Sequence, residues 1–367
     1  MTKKSLSSHD FRRILLIKPS SPGDIIHALP VLHGLRGRYP EAQIAWLVAT
    51  SFADLIECDP ALSEVIPFDR ARYGRLGSSL SISRDFLSFL ARLRGRRFDL
   101  VIDLQGLFRS GFLARATGAA VRIGFADARE FAHLAYTHRI PRAEHRQIHA
   151  ADRNYQIAAI CGFADAPMDF SIATTDDDRI AADALLAECG IPRGQPFVAM
   201  APATRWETKC WAAGRYGALA TRIQDRFGLA SALVGGPADV AVGEAAVGAS
   251  RGAAVNLCGR TSLRQMVALI RRAAVVVTAD STPMHVAVAT RRPLVALFGP
   301  TNPRRTGPYG RLADVLRLEL ECSPCYFRRI RQCPHDHRCM KDLTVEAVLD
   351  AVAARIEPAG GPARSSK

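Results

Sequence analysis

The sequence lacks any long hydrophobic run. None of its apolar stretches approaches the length that spans a bilayer. The N-terminal residues MTKKSLSSHDFRRILLIKP interrupt a short apolar stretch with Lys and Arg, which is not the pattern of a secretory signal peptide. The nine cysteines, an odd number, fit reduced thiols better than a disulfide framework. We therefore expect a protein that stays in the cytoplasm.

Several common motifs are also missing. There is no GxxxxGK[ST] sequence and no GxGxxG after a predicted strand, which argues against a P-loop kinase and a nicotinamide dehydrogenase. No helix-turn-helix signature, zinc-finger repeat or aromatic stacking platform accompanies the net charge of +14, so nucleic acid is not indicated. The charge favours phosphorylated small molecules or an anionic membrane surface, and a general excess of arginine explains part of it.

The pattern along the chain predicts an α/β fold. A chain of 367 residues is long enough for two domains. Apolar runs that predict strands, such as 14–17 and 100–104, alternate with segments whose apolar residues repeat at helical spacing. This periodicity is lost around 165–178, and a second series of predicted strands and helices starts at Phe197. We expect two doubly wound, Rossmann-like parallel sheets with a cleft between them. The predicted domains are 1–175, 176–345, and a C-terminal helix with tail at 346–367.

The most informative stretch runs from Ala273 to Gly310. It predicts a buried strand, a sharp turn, a helix and a second buried strand, which form a right-handed βαβ unit. Asp280, Ser281, Thr282 and His285 fall at the carboxyl end of the first strand, where a helix N-terminus offers N–H groups to a phosphate. The structural alternative is that the two hydroxyls cap the helix and the histidine belongs to the core.

Polar loops follow two earlier strands. Gly23 permits a tight turn, and Asp24 lies at a helix start, either as a cap or as an exposed carboxylate at the sheet edge. Gln105 and Arg109 follow the strand 100–104 in the same way. Both interpretations of Asp24 stay open at this point.

Six segments carry a family resemblance. They are RILLIKPSSPGDIIHALPVLHGLRGRYP, DLQGLFRSG, IGFADAREFAHLAYTHRI, APATRWETKCW, LVGGPAD and ADSTPMHVAVA…LFGPTNP…GPYG. Each is weak alone, but in this order and spacing, from about residue 12 to 355, they resemble glycosyltransferase family 9, the lipopolysaccharide heptosyltransferases. The resemblance implies the two-domain GT-B architecture, in which two Rossmann-like domains face each other across a cleft. The N-terminal domain would bind the acceptor, the C-terminal domain would bind the nucleotide sugar, and the active site would lie between them.

The resemblance also implies a reaction. Heptose would pass, with inversion, from ADP-heptose to a phosphorylated, lipid-linked acceptor of the lipopolysaccharide inner core (lipid A-Kdo), at the cytoplasmic face of the inner membrane. The positive charge would then contact anionic lipid, and no nucleic acid, cofactor or metal ion would take part. The alternatives are a family member that transfers another nucleotide-activated sugar to a different glycan, and a non-catalytic nucleotide-sugar-binding protein.

The resemblance assigns roles to residues. Asp24 matches the catalytic base, and Lys209 matches the lysine that offsets charge on the departing diphosphate. Asp280 would hold sugar hydroxyls, and Asp239 stands where the family often has a glutamate near the ribose. The predicted substrate-binding residues are Ser21, Gly23, Gln105, Arg109, Thr204, Arg205, Gly236, Asp239, Asp280, Ser281, Thr282, Pro283, Met284 and His285.

Two features depart from the family pattern. Thr282 stands where the family usually has Gly, which adds a Cβ where the backbone would approach a phosphate most closely. The second is a group of thiols and imidazoles with spacings close to those of a zinc or iron–sulfur site: Cys322, Cys325, Cys333 and Cys339, with His335 and His337. We expect reduced thiols in a loop and no bound metal.

Overall fold

The computed structural model describes residues 6–141 and 148–356. The chain divides into two compact units, Met1–Ala173 and Thr174–Lys367. Each unit contains one six-stranded sheet in which every neighbouring pair is parallel. The predicted α/β class with two doubly wound sheets is confirmed.

Unit 1 has the strand order β3-β2-β1-β4-β5-β6. Its strands are β1 (Arg13–Ile17), β2 (Gln43–Ala49), β3 (Glu64–Phe68), β4 (Leu100–Asp103), β5 (Val121–Phe125) and β6 (His138–Ile140). Its helices are α1 (Pro22–Ile26), α2 (Leu29–Arg38), α3 (Arg70–Tyr73), α4 (Leu80–Gly95), α5 (Phe108–Ala116), α6 (Ala150–Tyr155) and α7 (Ile157–Cys161), with 3-10 turns at Thr50–Leu55 and Ala132–Ala135.

Unit 2 repeats this topology as β12-β11-β10-β7-β8-β9. Its strands are β7 (Phe197–Ala201), β8 (Ala230–Leu233), β9 (Ala254–Asn256), β10 (Val275–Ala279), β11 (Leu294–Phe298) and β12 (Val315–Arg317). Its helices are α8 (Asp176–Glu188), α9 (Ala213–Phe227), α10 (Val240–Gly248), α11 (Leu263–Arg272), α12 (Thr282–Ala289), α13 (Pro303–Thr306), α14 (Arg338–Lys341) and α15 (Val345–Ile356). Short 3-10 turns lie at Glu207–Lys209, Pro237–Asp239, Leu312–Asp314 and Ile330–Gln332.

The central strands are the most apolar because helices cover both of their faces. All residues of β7, β10 and β11 are buried, which explains why their sequences show continuous apolar runs rather than alternation. Burial of these side chains is the main favourable term that holds each sheet against its helices. Among the described helices, none is both long and apolar enough to cross a membrane.

Two of the four edge strands, β6 and β12, are not indicated by the sequence. Each has only three residues and includes an arginine, so neither produces a clear apolar run. An edge strand pairs on one side only and tolerates such residues. The C-terminal helix α15 is also not separate, because Val348 and Val352 are fully buried in the core of unit 2. The predicted tail, 357–367, lies outside the described residues.

The strand order places a switch point in each sheet. It falls between β1 and β4 in unit 1 and between β7 and β10 in unit 2, where successive connections leave in opposite directions. Ligands of open α/β sheets bind at the carboxyl ends of these strands. The four loops that follow these strands therefore mark where to look for function.

His33 ties the end of unit 1 to its core. Its Nε2 lies 3.2 Å from Asp59 Oδ2, and its Nδ1 lies 2.9 Å from the Asp169 carbonyl oxygen. Burial lowers the pKa of His33, but the hydrogen bond and charge of Asp59, with those of Asp169, raise it more, so the pKa lies above 6.5. A histidine whose pKa is higher in the folded than in the unfolded protein stabilises the fold when it is protonated. This stabilisation is fully present at a pH below the unfolded-state pKa, and it is lost as the pH rises through the folded-state pKa.

We expect His33→Asn to lower the free energy of unfolding by about 2 kcal/mol at pH 5.5 and by clearly less at pH 8.5. Urea denaturation of both proteins at the two pH values measures the difference. His335→Asn removes an exposed imidazole and serves as the control. If His33→Asn lowered the free energy of unfolding equally at both pH values, protonated His33 would not stabilise unit 1 through Asp59 and Asp169.

Candidate active site

The switch point of unit 2 contains a buried ion pair. Lys209 Nζ lies 2.7 Å from Asp280 Oδ2, and the two side chains are 15% and 6% exposed. Lys209 belongs to the loop after β7, and Asp280 directly follows β10. Thr301 Oγ1 donates a second hydrogen bond of 2.8 Å to the same carboxylate oxygen. The structure thus brings together two residues that the sequence analysis chose separately.

The loop after β7 is shaped by its own side chains. Thr204 Oγ1 donates to the Trp206 carbonyl at 2.7 Å and accepts from the Trp206 N–H at 3.3 Å. Lys209 Nζ lies 4.5 Å from the centre of the Trp206 ring, and Arg328 also lies against this ring at 4.8 Å. Trp206 therefore sets the position of the Lys209 ammonium, while Arg205 is exposed.

Residues 327–337 brace this loop. The Thr208 carbonyl accepts a 2.7 Å hydrogen bond from His337 Nε2, and the Thr208 hydroxyl donates to the Phe327 carbonyl. Glu207 Oε2 accepts from the Ile330 N–H at 3.0 Å. The motif spacing makes His337 a candidate metal ligand, but the structure gives it this buried hydrogen bond. Nothing in the spacing of the motif could have shown that partner.

The start of α12 offers hydroxyls more than amides. Ser281 is the N-cap, but its Oγ contacts Thr278 Oγ1 at 3.0 Å and does not cap the helix. Pro283 has no N–H, and the Met284 N–H donates to the Ser281 carbonyl at 3.1 Å. Thr282 is half-buried, whereas His285 is 7% exposed within the core. An anion here would meet the Thr282 hydroxyl and the amides that precede Pro283.

Asp239 closes the turn after β8. Its Oδ2 accepts a 2.8 Å hydrogen bond from the Gly236 N–H. A Cβ at Gly235 would lie 2.8 Å from the same oxygen, so the turn requires glycine there. Asp239 is half-buried and Gly236 is exposed. The ribose role implied by the resemblance stays a prediction, and the observed role is that of a cap.

The switch point of unit 1 contains Asp24. Its Oδ2 accepts from the Ser21 N–H at 2.9 Å and from the Ser21 hydroxyl at 2.8 Å. This is a capping box at the start of α1, and the carboxylate is nevertheless half-exposed. Both sequence interpretations of Asp24 therefore apply together, while Gly23 is buried behind it.

A buried cation that the sequence analysis did not choose lies near Asp24. Lys18 directly follows β1, is 8% exposed, and donates from Nζ to the Leu104 carbonyl at 3.0 Å. Burial lowers the pKa of Lys18, and the charges of Asp24 and Asp103 partly oppose that effect. Lys18 thus links the loop after β1 to the loop after β4. The only sequence signal was a lysine directly after an otherwise apolar strand.

Asp103 organises the loop that carries Gln105 and Arg109. Its Oδ1 accepts from the N–H groups of Gln105 and Gly106 at 2.8 and 3.1 Å, and its Oδ2 accepts from the Tyr136 hydroxyl at 2.6 Å. Burial raises the pKa of Asp103 although these hydrogen bonds oppose the shift. Within the described residues, the buried Gln105 Oε1 has no hydrogen-bond partner. Arg109 is exposed on α5.

The cysteine segment forms a cavity of about 270 Å³. It is lined by Cys322, Ser323, Cys325, Phe327, Cys333, Pro334, His335, Arg338 and Cys339. Across residues 6–141 and 148–356, no group of three or more His, Cys, Asp or Glu side chains is arranged to hold a metal ion. Burial raises the pKa of the Cys339 thiol to about 11, so this thiol is protonated at neutral pH. The expectation of a metal-free site stays a prediction.

Comparison with known proteins identifies the family of this site. The sequence model of glycosyltransferase family 9 (heptosyltransferase) matches residues 86–335 of this chain. The chain belongs to glycosyltransferase family 9. It is 34% identical over 317 residues to lipopolysaccharide heptosyltransferase 1 of Pseudomonas aeruginosa, and the match covers 85% of this chain and 86% of that protein. The chain is therefore a glycosyltransferase, and the resemblance inferred from the motifs is confirmed.

Solved structures of family 9 share its fold. A family 9 glycosyl transferase from Veillonella parvula superposes with a TM-score of 0.77 and 23% identity, covering 95% of this chain and 97% of the other. Escherichia coli heptosyltransferase WaaC with ADP-2-deoxy-2-fluoro heptose gives a TM-score of 0.71 and 25% identity, covering 93% and 98%. These matches confirm the GT-B fold.

We expect Lys209→Met to lower the free energy of unfolding by about 3 kcal/mol, because it leaves the Asp280 carboxylate buried without its cation. Adding Asp280→Asn should recover most of this loss, since the carboxylate charge is then also gone. Urea denaturation of the two single variants and the double variant measures the coupling.

Lys341→Met is the matched control for this cycle. Lys341 pairs with Asp336, but both side chains are exposed, so this substitution should change the free energy of unfolding little. If the loss of unfolding free energy in the double variant equalled the sum of the losses in the Lys209 and Asp280 single variants, the two side chains would not form a coupled buried pair.

Proposed function

We propose that this family 9 glycosyltransferase transfers heptose from ADP-heptose to the lipopolysaccharide inner core with inversion at the anomeric carbon. The observation that carries the proposal is the buried Lys209–Asp280 pair at the switch point of unit 2. Two relatives support this proposal. Escherichia coli heptosyltransferase WaaC was solved with ADP-2-deoxy-2-fluoro heptose, which supports the donor, and a lipopolysaccharide heptosyltransferase 34% identical to this chain supports the acceptor.

In this proposal unit 2 binds the donor. The Lys209 ammonium interacts with the diphosphate and offsets the charge that grows as the C1–oxygen bond breaks. The Thr282 hydroxyl, the amides that precede Pro283 and the Arg205 guanidinium supply further donors for phosphate. Thr204 and Ser281, whose hydroxyls contact Trp206 and Thr278, would border the phosphate. Asp280, held by Thr301, is left to accept hydrogen bonds from heptose hydroxyls. Asp239 and Gly236 would border the nucleoside.

Unit 1 binds the acceptor and supplies the base. Asp24 removes the proton from the acceptor hydroxyl, the acceptor oxygen bonds to C1 of the heptose, and ADP leaves with the bonding electron pair. Because one displacement occurs without a covalent enzyme intermediate, the anomeric configuration inverts. Lys18 balances the carboxylate charges of this loop region, and Gln105 and Arg109 contact the acceptor. Ser21 and Gly23 hold the carboxylate in place.

The acceptor class explains the charge of the protein. A lipid-linked inner core carries phosphates and lies in an anionic membrane, and a chain with a net charge of +14 is attracted to both. We therefore place the reaction at the cytoplasmic face of the inner membrane, with peripheral association and without a nucleic-acid partner. No cofactor enters the proposed reaction.

We expect Asp24→Asn to reduce kcat about 10³-fold or more, since a positioned general base contributes roughly 10²–10⁴-fold. The affinity for ADP should change little, because the donor residues lie in unit 2. Transfer to a delipidated inner-core acceptor and calorimetric titration with ADP measure the two effects.

Asp69→Asn is the control for loss of a capping carboxylate. Asp69 also caps a helix of unit 1, with Oδ1 accepting from the Arg72 N–H at 2.8 Å. It should keep the wild-type kcat. If Asp24→Asn retained more than about a tenth of the activity, Asp24 would not be the base.

A further inference from the structure

Unit 1 exposes a group of large apolar side chains on two short segments. Phe108 and Phe112 of α5 are 62% and 42% exposed, and Phe131 and Leu134 of the following 3-10 turn are 75% and 65% exposed. Single exposed apolar residues are normal at a protein surface, but four large ones on adjacent segments are not. The proposed catalytic steps use none of these four side chains.

These segments are packed against each other. Phe108 and Phe112 are four residues apart on one face of α5, and their ring centroids are 6.5 Å apart. A Cβ placed on Gly111 would lie 3.1 Å from the Ala132 Cβ, so the 3-10 turn touches the helix. Glu130 Oε2 also accepts from the Phe108 N–H at 3.1 Å. The four side chains therefore belong to one local surface.

The turn before Phe131 is held in an uncommon conformation. Glu130 and Phe131 have φ values of 54° and 60°, in the left-handed region that side chains other than Gly, Asn and Asp rarely adopt. Two such residues in succession cost conformational energy that packing elsewhere must offset. The result is a phenylalanine that points into solvent, which core packing does not require.

The part of the chain that contains this surface carries much of the net charge. Residues 70–140 contain 13 arginines and five carboxylates, so this fifth of the chain holds +8 of the net +14. Arg109, Arg115 and Arg129 are exposed on or beside the two segments. On the neighbouring helix α4, Leu80 and Leu87 are 86% and 63% exposed and share a face with Arg84.

We propose that this surface docks the protein on an anionic lipid bilayer. We call it the docking face and define it as Phe108, Phe112, Phe131 and Leu134 with Arg109, Arg115 and Arg129. The apolar side chains enter the boundary between headgroups and acyl chains, and the guanidinium groups contact lipid phosphates. The apolar centre is flanked by three exposed arginines and one exposed carboxylate, Glu130, and this excess of positive charge favours an anionic lipid surface over a protein partner. The choice of a membrane rests on the proposed lipid-linked acceptor.

Vesicle flotation tests the docking face. Wild-type protein should bind vesicles that contain phosphatidylglycerol, bind vesicles of phosphatidylcholine alone much less, and be released by high salt. Phe131→Ser combined with Leu134→Ser should weaken binding to the anionic vesicles about tenfold or more, because it removes two apolar anchors. Thermal denaturation should show that the double variant is folded, since both side chains are exposed.

Ile180→Ser combined with Val240→Ser is the matched control. These residues are 66% and 39% exposed in unit 2, and their replacement should leave vesicle binding unchanged. Absence of binding to anionic vesicles, or equal binding by wild type and the Phe131/Leu134 variant, would overturn the proposal. Self-association of the wild type that this variant abolishes, without vesicle binding, would show that the surface joins two copies instead.

A second readout separates this inference from the proposed function. The Phe131/Leu134 variant should transfer heptose to a delipidated acceptor at the wild-type rate and lose most activity on acceptor embedded in vesicles. If wild type bound anionic vesicles through this face but transferred heptose to neither acceptor, the proposed function would fail and the docking face would stand. If the Phe131/Leu134 variant transferred heptose to both acceptors at the wild-type rate, the proposed function would stand and the docking face would fail.

Discussion

The structure depends on a topological constraint that acts once in each unit. In an open parallel sheet with the order 3-2-1-4-5-6, the connections after the two central strands leave in opposite directions, so no helix covers the carboxyl ends of those strands. Polar side chains can gather there without interrupting the apolar core. Lys209 and Asp280 lie at this point in unit 2, and Asp24 lies at the equivalent point in unit 1, with Lys18 close by.

Charge balance explains how these groups are held in place before a substrate binds. Lys209 is paired with Asp280 and lies against Trp206, so the ammonium is partly desolvated but not unpaired. A diphosphate would offer it a second anionic partner. The Thr301 hydroxyl and the brace from residues 327–337 fix both ends of the pair, which reduces the reorganisation that binding requires. In unit 1, Ser21 restrains Asp24 in a comparable way.

The sequence predicted the central strands, both polar loops at each switch point and the family, because these depend on local apolar runs and on short motifs. It missed β6 and β12, since each is an edge strand of three residues that includes an arginine and so leaves almost no apolar pattern. It also missed Lys18, Thr301 and the role of His337. Each acts through a partner at least 20 residues away in the chain, and such a pairing depends on tertiary packing that local spacing does not encode. The exposure of Phe131 could not be predicted either, because it also depends on tertiary packing.

The central claim is inverting heptose transfer from an ADP-linked donor. The most direct test incubates the wild-type protein with a delipidated inner-core acceptor and, in parallel, with ADP-, UDP- and GDP-linked sugars, and then determines product mass and anomeric configuration by mass spectrometry and NMR. The account predicts one added heptose, from ADP-heptose only, with the anomeric configuration opposite to that of the donor. A retained configuration, or a product formed only with another nucleotide sugar, would contradict it.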